Sequence, residues 1–579
     1  MKISAVVLLS FSLLFFQPSI AQKLLTPFEK SKEKESPSYF EIIKWWQQLD
    51  RNSQKVKMQP MGPTDAGYPL HLITISNTPI ADFKTAHNQY KIVILINNGI
   101  HPGEPEGIDA TMLLARDIAK GRLSLPDNVI LAVIPVYNIG GCLNRSKFYR
   151  VDQDGPIEMG SRGNSQNLDL NRDFIKCDSK EALSFTEIFH LTNPDILIDN
   201  HASNGADYQH VITLLTTQYN KLGGALGDYL NDIFEPGLQD LMKKDGYDLV
   251  PYVNFFGYGA VENGWSGYWD SPRYSSGYAA LFQTFSFVPE THILKPFNQR
   301  VRATYMLMKN FIAFAHKNGT TIKRLRNEVK ERVKADTEFP ISYKLDSTKT
   351  TPIIFKGFET GFKKSEITGL NRMYYDRTKP YTKTVPFYSH YKPINYIRKP
   401  KAYIIPQGWW KVIDRLKANK VIMTPLERDT TLTVETYYIQ NYKTAPKPYQ
   451  MHHINSQVET VLKKEQHRFQ KGDYQIMMNQ TANRFLIETL EPQAEDSYFV
   501  WNFFDGILNS NEWFSDYHYE DIAYKYLKQN PDLWEELKNK QKTDSVFAKN
   551  GMAQLSFIFN NSPYKDRIFM RYPISRLPE

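Results

Sequence analysis

KIVILINNGIHPGEPEG, residues 91–107, is the stretch that decides the fold. It opens with an unbroken apolar run at 92–96, the pattern of a strand buried on both faces. The turn residues Asn97, Asn98 and Gly99 end the run. His101, Pro102, Gly103 and Glu104 follow at once. A strand that delivers an imidazole and a carboxylate three residues apart, on a loop shaped by Pro and Gly, has what a metal site needs. Both ligand atoms must converge on one point about 2 Å from each. A second His completes three protein ligands. The candidate is His201, which follows another apolar strand, Ile196-Leu197-Ile198-Asp199-Asn200.

Outward from this stretch, the runs at 129–136 and 282–288 read as further buried strands. Residues 56–75 read as strands around a turn at 62–67. Helical patterns fill 107–119, 179–192, 223–244, 297–317 and 322–334. Near the start, 36–49 predicts a docked helix with Phe40, Ile43, Trp46 and Leu49 inward. Apolar strands alternating with helices predict an α/β fold: a mixed, largely parallel sheet with helices on both faces. Sites in such sheets collect beyond the carboxyl ends of strands. His101, His201 and Glu290 are each expected just past a strand end. Residues 140–163 read as an exposed loop, and 258–277, aromatic and Gly-rich, as a loop over the site.

Beyond Asp336 the texture turns β-rich, an α+β region that ends helical. Runs at 350–355, 383–387 and 431–439 predict antiparallel strands, 402–426 a strand, helix and strand, 485–490 a last strand, and 501–542 helix. His452 and His453 are adjacent on a predicted strand and so point opposite ways, which makes them a surface pair and not a metal pair.

The 579 residues exceed one ordinary core, and 41% hydrophobic with 23% charged is the balance of a folded protein. The net charge, 71 − 62 = +9, is spread as isolated lysines. The densest basic run, 323–334, alternates with Glu like a solvated helix face, so no nucleic-acid partner is expected. Residues 1–21 have one Lys, an apolar stretch and a small-x-small end at Ser19-Ile20-Ala21, which predicts a signal peptide and a secreted or periplasmic location. The apolar stretch is shorter than the roughly 18–20 residues that span a bilayer. Two cysteines, Cys142 and Cys177, do not make a disulfide framework.

Residues 36–335 resemble the carboxypeptidase A-like zinc metallocarboxypeptidases. That family carries a His-x-x-Glu after a strand, a later lone His, an Asn-Arg pair and a catalytic Glu on a late strand. Here these are His101 with Glu104, His201, Asn171-Arg172 and Glu290, in order. The resemblance implies one Zn²⁺ per chain held by His101, Glu104 and His201, with Glu290 as general base. It implies that Asp169 orients the first His, Arg162 stabilises the oxyanion, and Asn171 and Arg172 grip the substrate's terminal carboxylate. Arg162 is favoured over its loop neighbours Arg145 and Arg150. The Tyr that closes over substrate is nearest Tyr268 by spacing, with Tyr274 and Tyr278 competing. His292 and Arg273 also lie near the site in sequence.

The expected organisation is thus a catalytic domain at 22–335 and an accessory region at 336–579, resembling larger bacterial members. The accessory region reads as a structural jacket, with a lid or a binder of peptide or polysaccharide as the other readings. Its Trp409, Trp410, Trp501 and Trp513 could stack on sugars. One departure stands out: digestive-type members often have a basic residue directly before the zinc Glu, and here it is Gly103. The expected activity is hydrolysis of a C-terminal peptide bond by a monomer or weak oligomer. The alternatives are an amidase or peptidase on cell-wall muropeptides, a deacylase, and a non-catalytic binding protein.

Overall fold

The structure is a computed structural model and describes residues 24–255 and 261–579. The expected signal peptide lies outside the described residues, as do residues 256–260 of the expected loop over the site. Among the described residues no helix is long and apolar enough to cross a membrane.

The strands β1 (Val56–Pro63), β2 (Pro69–Ile75), β3 (Ile92–Asn97), β4 (Val129–Ile134), β5 (Ile196–Asp199), β6 (His201–Ser203), β7 (Ile212–Thr216), β8 (Val250–Pro251) and β9 (Phe285–His292) form one nine-stranded sheet. Their order is β1-β2-β4-β3-β5-β9-β7-β8, with β6 beside β9. The centre, β4-β3-β5-β9, is parallel. The β1–β2, β2–β4 and β9–β7 pairs are antiparallel. Every residue of β3 and β4 is buried. Both faces are covered, so neither strand alternates in its sequence.

Helices α1 (Tyr39–Asn52), α2 (Glu106–Ala119), α3 (Lys180–Thr192), α4 (Glu235–Lys244) and α5 (Phe297–Ala335) flank the sheet. A capping box between Ser38 and Glu41 starts α1. Its buried face is Tyr39, Ile42, Trp45, Trp46 and Leu49, rotated from the expected one. Phe40 is 57% exposed and lies edge-on to Tyr68. Burial of both tryptophans turns the helix. The two helices expected at 297–317 and 322–334 are one helix of 39 residues. Gly319 does not break it. A Cβ there would stand 2.9 Å from Cγ1 of Ile92, so the glycine lets α5 lie close on β3. Lower down, the buried Asp195 carboxylate binds Arg326 and Lys323 of α5 at 2.6 and 2.7 Å and accepts the Val93 N–H at 3.0 Å. That one side chain ties α5 to the starts of β3 and β5.

The C-terminal region is built on a six-stranded sheet and a long hairpin of Thr351–Lys364 with Asn371–Tyr388. The expected strand, helix and strand at 402–426 appears, with Trp410–Ala418 as its helix. The expected last strand at 485–490 is instead the helix Asn483–Leu490. That run is buried on all sides, and such a run has no period to distinguish helix from strand. The last strand is Arg571–Leu577, seated between Ala402–Ile405 and Thr430–Thr444.

The core is continuous across the two parts of the chain. Phe282 and Phe485 pack with tilted rings, centroids 5.3 Å apart. Trp501 is fully buried, with Lys176 and Arg273 at 5.4 and 4.9 Å from its ring, so it packs as core rather than as a sugar platform. Trp409 packs on Phe504, while Trp410 and Trp513 are exposed. Cys142 and Cys177 are buried free thiols.

Candidate metal centre

The parallel centre of the sheet places the site. His101 and Glu104 stand on the loop after β3. His201 opens β6 directly after β5. Glu290 pairs in register with His201. It lies inside β9 and not past the strand end, because the second half of β9 continues the ladder with β6 and β7.

The Nδ1 atoms of His101 and His201 lie 3.2 and 3.1 Å from the two Glu104 oxygens. The three residues are buried, and their candidate ligand atoms all lie within 4.8 Å of one another. The other nitrogen of each ring is occupied. His101 Nε2 meets Asp169 Oδ1 at 2.9 Å, and His201 Nε2 meets Asp199 Oδ2 at 3.1 Å. A carboxylate on Nε2 draws the proton there and leaves the Nδ1 lone pair for a cation. His101 Nδ1 is buried with no hydrogen-bond partner. Two imidazoles and a carboxylate so arranged can hold a divalent metal ion.

Charge at the site is steeply arranged. Burial works against ionising Glu104, but Arg150 and His101 outweigh it and hold its carboxyl well below the usual range. For Asp169, burial is likewise overcome by His101, Arg162 and Arg172. Burial opposes protonation of His201, yet Asp199 and Glu104 hold the imidazole well above its ordinary value. Glu290 goes the other way: burial, with Glu104 adding to it, pushes the carboxyl up to about 8.

A cavity of about 360 Å³ opens over these groups. The structure brings Glu290, Arg162, Asn171, Arg172 and Tyr268 to its walls together with the three ligand residues. Arg162 is held by Asp169 Oδ2 through two bonds of 3.0 and 2.9 Å. Of the competing residues, Arg150 and Tyr274 also line the cavity. Tyr274 lies under Arg172, 4.5 Å from guanidinium carbon to ring. Tyr278 does not reach the cavity: it is core, and its hydroxyl donates to Asn419 at 2.6 Å. Arg145 is spent on the Ser36 and Pro37 carbonyls. His292 is stacked on Tyr208 and Arg273 is paired with Asp496. Of the expected surface pair His453 is exposed, while His452 is half-buried and its Nε2 meets Asp178 at 2.7 Å.

Two contributors escape a reading by motif. Asp199 precedes His201 by two residues, which puts both side chains on one side of an extended chain. That spacing is the signal that could have found it. Arg150 lies in the loop read as exposed, but its guanidinium binds Glu104, and its stem covers Gly103. A Cβ on Gly103 would stand 2.9 Å from Arg150 Nε and 2.9 Å from the Gly160 carbonyl. The absence of a side chain before Glu104 and the presence of Arg150 are one arrangement.

Residues 42–364 match the family model described as zinc carboxypeptidase. The carboxypeptidase 2 of Trichophyton rubrum is 21% identical over 426 residues, 70% of this chain and 73% of that protein. That of Trichophyton equinum is 20% identical over 429 residues, 71% and 74%. Among solved structures, a metallo-carboxypeptidase from Burkholderia cenocepacia is similar at 15% identity and a TM-score of 0.35, over 48% of this chain and 70% of that one. The carboxypeptidase A of Helicoverpa armigera is similar at 15% identity and a TM-score of 0.37, over 50% and 74%.

Proposed function

The chain belongs to the zinc carboxypeptidase family and is a zinc metallopeptidase, and from that premise we propose that it binds one Zn²⁺ and removes the C-terminal residue from peptides with a free carboxylate. His101, Glu104 and His201 are the ligands. Bound zinc supplies a Lewis acid that polarises the scissile carbonyl and brings the pKa of water towards neutrality. Glu290 takes the proton of the attacking water and returns it to the leaving amine. Its buried carboxyl ionises more readily once a cation sits beside it. Arg162, pinned by Asp169, donates to the oxyanion from a fixed position. Asn171 and Arg172 bind the terminal carboxylate, Arg172 through its guanidinium fork. Asn171 can meet a carboxylate only through its side-chain N–H; its side-chain oxygen, an acceptor, is buried without a partner. Tyr268 borders the substrate's path. Arg150, from a separate loop, brings a positive charge to the cavity beside Gly103, where digestive-type members often have a basic residue. Secretion, through a signal peptide at residues 1–21, belongs to the same reading and rests on sequence.

The observation that carries this reading is the pairing of both imidazole Nε2 atoms with carboxylates while both Nδ1 atoms converge on Glu104. The test is zinc content by elemental analysis, with hydrolysis of matched peptides bearing free and amidated C-termini. One zinc per chain and cleavage of free ends alone is expected. Zinc with equal cleavage of amidated ends would replace the exopeptidase reading by an amidase or deacylase. A chain that takes up no zinc would sink it.

A further inference from the structure

The loop 445–454 joins the strands Thr430–Thr444 and Asn455–Phe469, and its tip turns inward to the catalytic cleft. Tyr449 and His452 close a four-residue turn by exchanging backbone hydrogen bonds of 2.7 and 3.1 Å. Gln450 and Met451 between them both have positive φ, 51° and 71°. Hairpin turns of this hand favour Asn and Gly, and side chains with a long stem resist them. The surroundings hold the turn in place. His452 is bonded to Asp178 and edge-on to Trp501. Asn502 donates to the His453 carbonyl at 2.9 Å, and Thr444 and Asn455 close the base at 2.8 Å.

The strained tip delivers two oxygens. Tyr449 Oη accepts from Arg172 Nε at 3.0 Å, across 277 residues of sequence. Gln450 Oε1 accepts the backbone N–H of Asp169 at 2.9 Å. Arg172 also donates from Nη1 to the Asn171 carbonyl at 2.7 Å and lies on the Tyr274 ring. Three partners therefore set the plane of a guanidinium that lines the cavity. A long cationic side chain held this way loses less freedom when it binds a carboxylate.

We propose that Tyr449 and Gln450 are positioning residues, supplied by the C-terminal region, that fix Arg172 and the segment 169–171 for a substrate's terminal carboxylate. The inference rests on the reading of Arg172 given above. It makes the C-terminal region a part of the substrate-binding apparatus rather than a jacket around it.

The test uses the full zinc-loaded chain carrying Glu290→Gln, so that turnover is slow on the timescale of the titration. Calorimetry gives the affinity of a dipeptide with a free carboxylate and of its C-terminal amide. Tyr449→Phe keeps the ring against Trp501 and removes one hydroxyl. It is expected to weaken the free dipeptide about 5- to 10-fold, leave the amide unchanged, and have no further effect once Arg172→Ala is present. In the otherwise native enzyme it raises KM and leaves kcat nearly constant. Unchanged affinity for the free dipeptide in Tyr449→Phe overturns the inference, as does equal weakening with Arg172 already removed. If the hydroxyl matters for binding but no peptide is ever cleaved, the exopeptidase reading fails and the inference stands. A native chain that does not distinguish the two dipeptides overturns both.

Discussion

Asp199 and Asp169 do the same work on two different imidazoles, yet only Asp169 was legible in the sequence. Asp169 stands in the run Leu168 to Arg172, a pattern with a family precedent. Asp199 looks like any polar residue ending a strand, and its role appears only when the ring of His201 turns back on it at 3.1 Å. The same contrast separates Arg162 from Arg150. The metal ligands were legible because strand ends and turn residues mark them, and Glu290 because it follows an apolar run, though it lies inside β9; the partners that tune them meet through space. Asp199→Asn keeps the shape and removes the charge, so zinc affinity is expected to fall about 10- to 100-fold, read by competition with a chelator. Glu290→Gln is expected to lower kcat by about 10²- to 10⁴-fold with zinc content unchanged; equal kcat would remove Glu290 from the chemistry. On the proposed mechanism activity requires the ionised Glu290, which burial disfavours and a bound cation would favour. The rate is therefore expected to be lost as pH falls through the pKa of this carboxyl in the zinc-loaded chain, and that acid limb of the pH–rate profile should vanish in an assay of the Gln variant's residual rate.

At the scale of elements, the central strands were readable because β3, β4 and β5 are built on apolar runs, while their order in the sheet was not. Nor were helix lengths. Gly319 carries the signature of a helix end, but its role is set by Ile92 on another element. Gly319→Val is expected to cost about 1–3 kcal/mol by overpacking, read in urea unfolding; a neutral result would mean that α5 can lift from β3. The tie at Asp195 is stronger. Burial opposes its ionisation, but Arg326 and Lys323 hold its carboxyl well below the usual range. A carboxyl depressed in the folded state adds stability that is complete above the unfolded value of about 3.9 and is lost as pH falls through the folded one. Asp195→Asn leaves two cations facing a neutral amide in the interior and is expected to cost about 3–5 kcal/mol at neutral pH. The gap between the variant and the native chain should narrow in acid; a gap independent of pH would show that charge is not what Asp195 contributes.

For the whole molecule, a change of texture near Asp336 was visible in the sequence, but not how closely the two parts join. Patterning reports which residues are buried, never against which partner, and Trp501 received no signal that its neighbours would be Lys176 and Arg273. Because Phe282 packs on Phe485 and Asp496 pairs with Arg273, one cooperative unfolding transition is expected in calorimetry; two resolved transitions would contradict a shared core. The place of Arg571–Leu577 has a further consequence. This strand sits in the interior of its sheet, beside the strand that leads to the turn at 449–452. A ribosome that has produced every zinc ligand has still not produced the strand that pairs with the one leading to the turn. The metal-binding residues are therefore made before the sheet from which that turn projects can close.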